Sequence, residues 1–158
     1  MREKTFAAKK VNAYTATLYQ IVFSTKYRKP TLIKPGREQL FKCICGILKN
    51  KNCRPYQVGG VEDHLHIVCS LHPSVALAGL VKDIKLGATA HIKEQSLFPH
   101  FRGWQRGYGG FTYAAEALPN LVRYVQNQEN HHRKRSSLKE MHELLILHEV
   151  EYDSTYVD

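Results

Sequence analysis

The sequence predicts an α+β domain with a ferredoxin-like (split βαβ, RRM-like) antiparallel sheet and two helices on one face, followed by a tyrosine-bearing helix and a tail helix. The predicted elements run strand, helix, strand, strand, helix, strand and then two helices. A length of 158 residues is typical of one domain. A composition with 43% hydrophobic and 23% charged residues excludes wholesale disorder. We therefore expect a single domain over residues 1–158, with its core at about 12–133 and a helical tail at about 136–158.

The first half of the chain provides three strands and one helix. After a short basic arm, residues 14–25 are rich in aromatic and β-branched side chains and predict a strand. From residue 37 to about 49, apolar residues recur at helical spacing. Residues 54–58 and 63–71 predict two short strands, and Gly59-Gly60 predicts the turn between them.

The second half provides a strand and three helices. A long helix is expected from Pro73 to about residue 95, with a buried apolar stripe. A loop of aromatic and basic residues leads to a strand at residues 111–114. Pro119 predicts the first turn of a helix that runs to about residue 132, and a last helix covers roughly 137–148.

The charge of the chain favours a polyanionic partner. Its 23 Lys and Arg against 14 Asp and Glu give a net charge of +9, although a generally basic surface explains this equally well. The four cysteines form no CxxC pair, which argues against a zinc ribbon or a disulfide framework. The chain shows no signal-peptide segment and no stretch long enough to span a membrane. We expect a reduced, cytoplasmic protein without a membrane partner.

His64-Leu65-His66 is the sharpest local feature of the sequence. Side chains alternate along a strand, so the two imidazoles point to one face while Leu65 points into the core. Two imidazoles about 6.6 Å apart along a strand can bind one metal ion. On spacing alone, two half-exposed strand histidines are an equally good interpretation.

Tyr124 and Gln128 are the candidates for the other half of a site. They are four residues apart at the edge of a helix stripe, so they lie one above the other. Taken singly, a tyrosine that caps the core and a solvated amide are the simpler interpretations. Together with His64 and His66, the amide oxygen completes a three-ligand site with open positions for a hard or borderline divalent ion. The phenol is then placed to attack a phosphodiester and form a phosphotyrosine.

At this point the sequence resembles the single-tyrosine HUH transposases (insertion-sequence-two-hundred-like), which include the relatives associated with repetitive extragenic palindromes. The resemblance covers nearly the whole chain and is carried by YQIVFSTKYRKP, GGVEDHLHIVCSL, FRGWQRGYGGFTY, LVRYVQNQENHHRKRS and HEVEYD. A His-hydrophobic-His motif followed about sixty residues later by Tyr-x-x-x-Gln is a specific pairing. The predicted ferredoxin-like fold agrees with it.

The resemblance implies a metal-dependent transposase that cuts single-stranded DNA beside a hairpin and rejoins it. Tyr124 would be the nucleophile that leaves a 5′-phosphotyrosine and a free 3′-OH, and His64, His66 and Gln128 would hold Mg²⁺ or Mn²⁺. The family also implies a homodimer in which the tyrosine helix completes either its own or the partner's site. The expected location is the cytoplasm of a prokaryotic cell, in association with the nucleoid.

Basic and aromatic residues predict the DNA-binding surface. Lysines on the second long helix and the basic run after the tyrosine helix are suited to phosphate contacts. The aromatic loop offers stacking for unpaired bases, although packing of that loop on the sheet is an equal alternative. The candidates are Lys82, Lys85, Arg102, Trp104, Arg106, Arg133, Lys134 and Arg135.

Three alternatives remain at this stage. A non-catalytic nucleic-acid binder on this topology is disfavoured because the strand of His64 presents no aromatic residue on that face. A replication-initiator-like nuclease shares the histidine pair and the tyrosine chemistry. A domesticated enzyme that processes chromosomal palindromes would have the same active site.

The chain departs from the family pattern in two places. The segment before Tyr124 lacks the glycine of a flexible hinge. The C-terminal tail is found in only part of the family, and the sequence assigns no role to it.

Overall fold

A four-stranded antiparallel sheet forms the centre of the molecule, as a computed structural model that describes residues 13–153 shows. The strand order is β2-β3-β1-β4, and β1 pairs with both β3 and β4. This confirms the predicted α+β, ferredoxin-like class. The basic arm and the last five residues of the predicted tail lie outside the described residues.

The strands and helices follow one another in the predicted order, with one predicted helix divided into α3 and α4. The strands are β1 (Tyr19–Ser24), β2 (Arg54–Gly60), β3 (His64–Ser70) and β4 (Gly109–Thr112). The helices are α1 (Lys34–Asn50), α2 (Leu77–Gln95), α3 (Leu118–Gln126), α4 (Gln128–His132) and α5 (Ser137–Leu147). Short 3₁₀ turns cover Lys26–Arg28 and Ala115–Ala117.

Helices cover both faces of the sheet in the described part of the chain. The face covered by α1 and α2 is a continuous apolar core that includes Leu65 and Ile67 of β3. The other face is covered by α3, through Leu121 and Val125, and by α5. The sheet face opposite α1 and α2 is therefore covered by the C-terminal helices.

The predicted turn at Gly59-Gly60 is wrong, because both glycines lie inside β2 and the chain turns after them. Helix α3 crosses directly over this end of β2. A Cβ atom on Gly59 would lie 2.7 Å from the carbonyl oxygen of Val125. The glycine therefore marks the close approach of a helix to a strand and not a reversal of the chain.

Other boundaries differ from the sequence patterns by a few residues, except at one helix. The predicted strand at residues 14–25 shortens to β1, the helix expected from Pro73 begins at Leu77, and the fourth strand begins two residues earlier than expected. The helix expected at residues 119–132 is broken at Asn127, which ends α3 and precedes α4. Asparagine favours helix ends because its side chain competes for backbone hydrogen bonds.

Within residues 13–153, no helix is both long enough and apolar enough to cross a bilayer.

Candidate active site

Strand β3 places His64 and His66 on the sheet face that α3 and α5 cover. Their side chains point away from Leu65 and Ile67, which belong to the opposite core, so the predicted alternation is confirmed. The structure differs from the sequence interpretation in their burial, since the two histidines are 1% and 0% exposed. Two buried imidazoles need polar partners, and the covering helices provide them.

A third histidine and a carboxylate complete a compact polar cluster. His132 at the end of α4 and Glu140 of α5 join the two strand histidines, and their four ligand atoms lie within 4.8 Å of one another. Oε1 of Glu140 lies 2.7 Å from Nε2 of His66, and 3.1 Å and 3.2 Å from the same atom of His64 and His132. We call His64, His66, His132 and Glu140 the histidine–glutamate cluster.

Polar side chains orient the strand histidines from behind. Asp63 lies with Oδ1 2.7 Å from Nδ1 of His64, and its other oxygen accepts a hydrogen bond from Ser137 at 3.0 Å. When the Nδ1–H of His64 donates to Asp63, the Nε2 lone pair is left for the cluster. On the other side, Nε2 of Gln20 lies 3.0 Å from Nδ1 of His66.

Tyr124 projects from α3 to the edge of the cluster. Its hydroxyl donates a hydrogen bond to Oε2 of Glu140 and accepts one from the Arg135 guanidinium. Its ring lies nearly perpendicular to the ring of His66, with centroids 5.8 Å apart. The ring of His131 stacks on the Tyr124 ring, with centroids 4.6 Å apart. One carboxylate therefore joins the phenol to the three imidazoles.

The charge state of the cluster follows from burial and hydrogen bonding. Burial alone would raise the pKa of Glu140, but its hydrogen bonds with the three histidines hold it well below its usual range. Burial opposes the charged form of His64, yet Asp63 and Glu140 raise its pKa to about 9. Burial lowers the pKa of His66 to about 4. Burial, and then the Glu140 carboxylate, raise the pKa of Tyr124. Without a metal ion, the cluster thus holds an anionic Glu140 beside a protonated His64.

The cluster has the donor set of a divalent-metal site. Three imidazole nitrogens and one carboxylate oxygen are ordinary ligands of divalent transition metals. The Nδ1 atom of His64 contacts a carboxylate, which is the usual arrangement behind a metal-bound histidine. The residues therefore fit a divalent metal ion, with His132 and Glu140 beside the expected pair of histidines.

Gln128, the third ligand proposed from the sequence, is buried at the margin of the cluster. It is 1% exposed, and its Oε1 lies 3.0 Å from Nε2 of His132. Its Nε2 donates to the backbone oxygen of Tyr124 at 3.4 Å. The structure thus brings Gln128 to the site through His132, and its role as a ligand stays a prediction.

The eight proposed DNA-binding residues divide into two groups. Exposed positions are Lys82, Arg102, Arg106, Arg133 and Lys134. Lys85 instead donates to the backbone oxygens of Gln105 and Gly107, at 2.9 Å and 2.7 Å. Trp104 packs edge-on against two phenylalanine rings with centroids 5.0 Å away, as the loop-packing alternative predicts. Arg135 lies at the Tyr124 hydroxyl. A DNA contact by any of these residues stays a prediction.

The sequence interpretation missed His132, Glu140 and Gln20. His132 carried a signal, because it lies four residues after Gln128 and therefore on the same side of a helix. Glu140 carried a signal: it lies on the buried stripe of α5 with Leu144, where a carboxylate is out of place. Ser136 caps that helix by accepting a hydrogen bond from the backbone N–H of Lys139, which fixes where α5 begins.

The tail helix packs on the sheet of its own chain. Leu144 and Leu145 of α5 join Val22 and Phe111 in a small apolar cluster. The nucleophile candidate, the histidines and the tail thus meet within one chain.

Comparisons with known proteins concern the family and the fold of the chain. The family model described as "Transposase IS200 like" matches residues 13–128. A crystal structure of a candidate transposase from Deinococcus radiodurans R1 has a TM-score of 0.59 and 21% identity, over 76% of this chain and 97% of that chain. A REP-associated tyrosine transposase bound to a REP hairpin has a TM-score of 0.56 and 13% identity, over 78% of this chain and 74% of that one. A search of curated proteins gives no match.

Proposed function

Because the chain belongs to the IS200-like transposase family, we propose that it cuts and rejoins single-stranded DNA beside a hairpin through a covalent bond to Tyr124. The observation that supports this most strongly is the meeting of the Tyr124 hydroxyl with the histidine–glutamate cluster. A hydroxyl beside a group of metal-ligating side chains is the arrangement that nucleophilic attack on a phosphodiester requires.

The chemical step exchanges one phosphoester for another. The Tyr124 oxygen loses its proton and bonds to phosphorus, and the bond from phosphorus to the 3′ oxygen of the preceding nucleotide breaks. That oxygen takes up a proton, so the products are a 5′-phosphotyrosine and a free 3′-OH, and no co-reactant is consumed. Rejoining is the reverse reaction with an incoming 3′-OH.

Arg135 is placed to stabilise the reacting oxygens. It donates to the Tyr124 hydroxyl and also lies 3.4 Å from Oε2 of Glu140. A guanidinium at this position favours a phenolate and attracts the phosphate of the substrate. This assigns Arg135, which the sequence suggested as a general DNA contact, to the active site.

The histidine–glutamate cluster is the proposed metal site, with Gln128 beside it. When bound, a divalent ion would act as a Lewis acid that polarises the phosphodiester. Three imidazoles favour Mn²⁺ over Mg²⁺, because Mg²⁺ strongly prefers oxygen ligands. Asp63 and Gln20 keep the strand histidines oriented toward this position.

The proposed substrate is a single strand that folds into a hairpin. The structural neighbour with a bound REP hairpin and the net charge of +9 support a DNA partner. The Tyr124 side chain is partly enclosed by α3 and α5, so an unpaired strand reaches it more readily than a stiff duplex. Since Tyr124 meets the histidines of its own chain, cleavage by one protomer is favoured, and a homodimer stays a prediction.

The experiment that tests the proposal is covalent capture. Protein and Mn²⁺ are incubated with labelled single strands that carry a hairpin flanked by randomised sequence, and the products are separated under denaturing conditions. We expect a protein–DNA adduct whose modified peptide contains Tyr124. Sequencing of the captured strand gives the cleavage position.

Two variants serve as the matched pair. Tyr124→Phe removes the nucleophilic oxygen and keeps the ring, so it should bind the strand and form no adduct. Like Tyr124, Tyr56 packs against the apolar cluster of Leu121 and Val125. Tyr56→Phe removes its hydroxyl and should leave the yield of the adduct unchanged. An adduct on another residue, or strand binding with no adduct in the wild type, would overturn the proposal.

A further inference from the structure

A cavity opens beside the Tyr124 hydroxyl, between α3 and α5. Its volume is about 360 Å³, within the range of pockets that bind small organic groups. Its walls include Ala117 and Leu121 on one side, and Leu144 and Leu147 on the other. Tyr113 adds an aromatic side chain from the segment after β4. The cavity is therefore predominantly apolar, with the proposed nucleophile in its lining.

Polar groups lie along the same cavity. Arg135 and Glu140 line it together with Tyr124, so it reaches the reacting oxygen. Asn120 and Glu143 provide an amide and a carboxylate. A flat heteroaromatic ring with hydrogen-bonding edges matches such a lining, because its faces need apolar contact and its edges need donors and acceptors.

The surroundings of Tyr124 limit where a substrate can lie. The Tyr124 ring contacts the ring of the buried His66, and the ring of His131 stacks on the Tyr124 ring. The hydroxyl end faces the Glu140 carboxylate, Arg135 and the cavity. A phosphate that reaches this hydroxyl from outside therefore carries its attached nucleoside into or past the cavity.

We propose that this cavity binds the unpaired base of the first nucleotide downstream of the cleaved bond, the nucleotide whose 5′ phosphate is transferred to Tyr124. The inference rests on the proposed function and adds a specificity pocket to it. The downstream nucleotide stays attached to the phosphorus throughout both steps, so its base remains within one sugar of the tyrosine oxygen. A base held there positions the phosphate for attack and makes the rate depend on base identity.

The test combines a modified substrate with a cavity-filling variant. Once the cleavage position is mapped, the base of the first downstream nucleotide is removed to give an abasic strand. For the wild type, we expect the rate of adduct formation to fall about tenfold or more, because stacking contacts of one base are lost. Removal of a base several positions further downstream should have little effect.

Ala117→Leu fills the cavity from the 3₁₀ turn before α3, and Ala115→Leu is its control. Ala115 is exposed on the same 3₁₀ turn and does not line the cavity. Ala117→Leu should slow adduct formation with the normal strand about tenfold and leave the rate with the abasic strand at the wild-type abasic level. Ala115→Leu should match the wild type on both strands. A variant that merely disturbed α3 would slow both reactions.

A binding measurement without catalysis gives a second readout. The fluorescent base 2-aminopurine is placed at the first downstream position and mixed with Tyr124→Phe protein in EDTA. We expect its fluorescence to be quenched on binding, and Ala117→Leu in that background to abolish the quenching. Equal rates for normal and abasic strands, or quenching that Ala117→Leu does not change, would overturn the pocket. The absence of any Tyr124 adduct with the normal strand would instead overturn the proposed function.

Discussion

The two faces of the central sheet are both buried, yet they are built from opposite kinds of side chain. On β3, Leu65 and Ile67 face α1 and α2 in an uninterrupted apolar core. Their immediate neighbours His64 and His66 face α4 and α5, where their partners are Asp63, Gln20 and Glu140. Alternation along a single strand thus separates the part of the molecule that stabilises the fold from the part proposed to react.

This difference shows which face carries the function. Burying charged and polar groups costs free energy that apolar residues of similar size would not cost. A fold that needed only stability would continue the apolar core on both faces. The polar face is instead framed by two small apolar clusters, around Leu121 and Leu144, which hold the helices in place while the centre stays polar.

Substitutions at adjacent positions of β3 test the comparison most strongly. Leu65→Ala should lower the free energy of unfolding by about 2–5 kcal/mol, equally with and without Mn²⁺, because it leaves a cavity in the core. His66→Ala should abolish the stabilisation by Mn²⁺, which is about 2.7 kcal/mol at a hundred times the Kd. Urea unfolding in EDTA and in Mn²⁺ measures both. If Mn²⁺ stabilised the His66 variant as much as the wild type, the polar face would not be the metal site.

Glu140→Gln tests whether α5 belongs to the metal site. The amide keeps the size of the side chain and removes its negative charge, so the Kd for Mn²⁺ should rise about a hundredfold and adduct formation should slow. For the Mn²⁺ affinity, the matched control is Glu143→Gln, one turn away, whose carboxylate pairs with Arg135 outside the cluster. Mn²⁺ titration followed by electron paramagnetic resonance measures the affinity. Faster adduct formation by Glu140→Gln would mean that α5 covers the site and does not complete it.

Asp63→Asn tests the side chains behind the histidines. The loss of its charge weakens the contact that directs Nδ1 of His64, so Mn²⁺ affinity should fall about 10–100-fold. The binding of hairpin DNA in EDTA should stay unchanged, because both oxygens of Asp63 are directed at His64 and Ser137. A change in DNA affinity without a change in Mn²⁺ affinity would contradict the assigned role.

The pH dependence of stability gives the smallest effect. In EDTA, the raised pKa of His64 means that its contribution is fully present below pH 6.5 and is lost as the pH rises through about 9. We expect the free energy of unfolding to fall steadily over this interval. Asp63→Asn should flatten the profile, since Asp63 stabilises the protonated form. A wild-type profile that is flat between pH 6.5 and 9 would contradict the charge state assigned to the cluster.

Local sequence patterns predicted the fold and two of the four residues of the histidine–glutamate cluster. Alternation placed His64 and His66 on one face, and helical spacing placed Tyr124 above Gln128. His132 and Glu140 each carried a local signal, but their meeting with the strand histidines depends on the helix break at Asn127 and on the reversal before Ser136. The pattern at Gly59 predicted a turn. The residue must lack a side chain because α3, which lies far away in sequence, passes close to its backbone. Contacts between distant segments are therefore what the sequence patterns lacked.

The most direct test of the account is the position of Mn²⁺ in crystals of the metal-loaded protein, located by anomalous scattering. We expect a single strong peak enclosed by His64, His66, His132 and Glu140, on the side of the cluster that faces Tyr124. A peak bound elsewhere, or no peak at this cluster at saturating Mn²⁺, would contradict the claim that this polar face of the sheet is a metal centre.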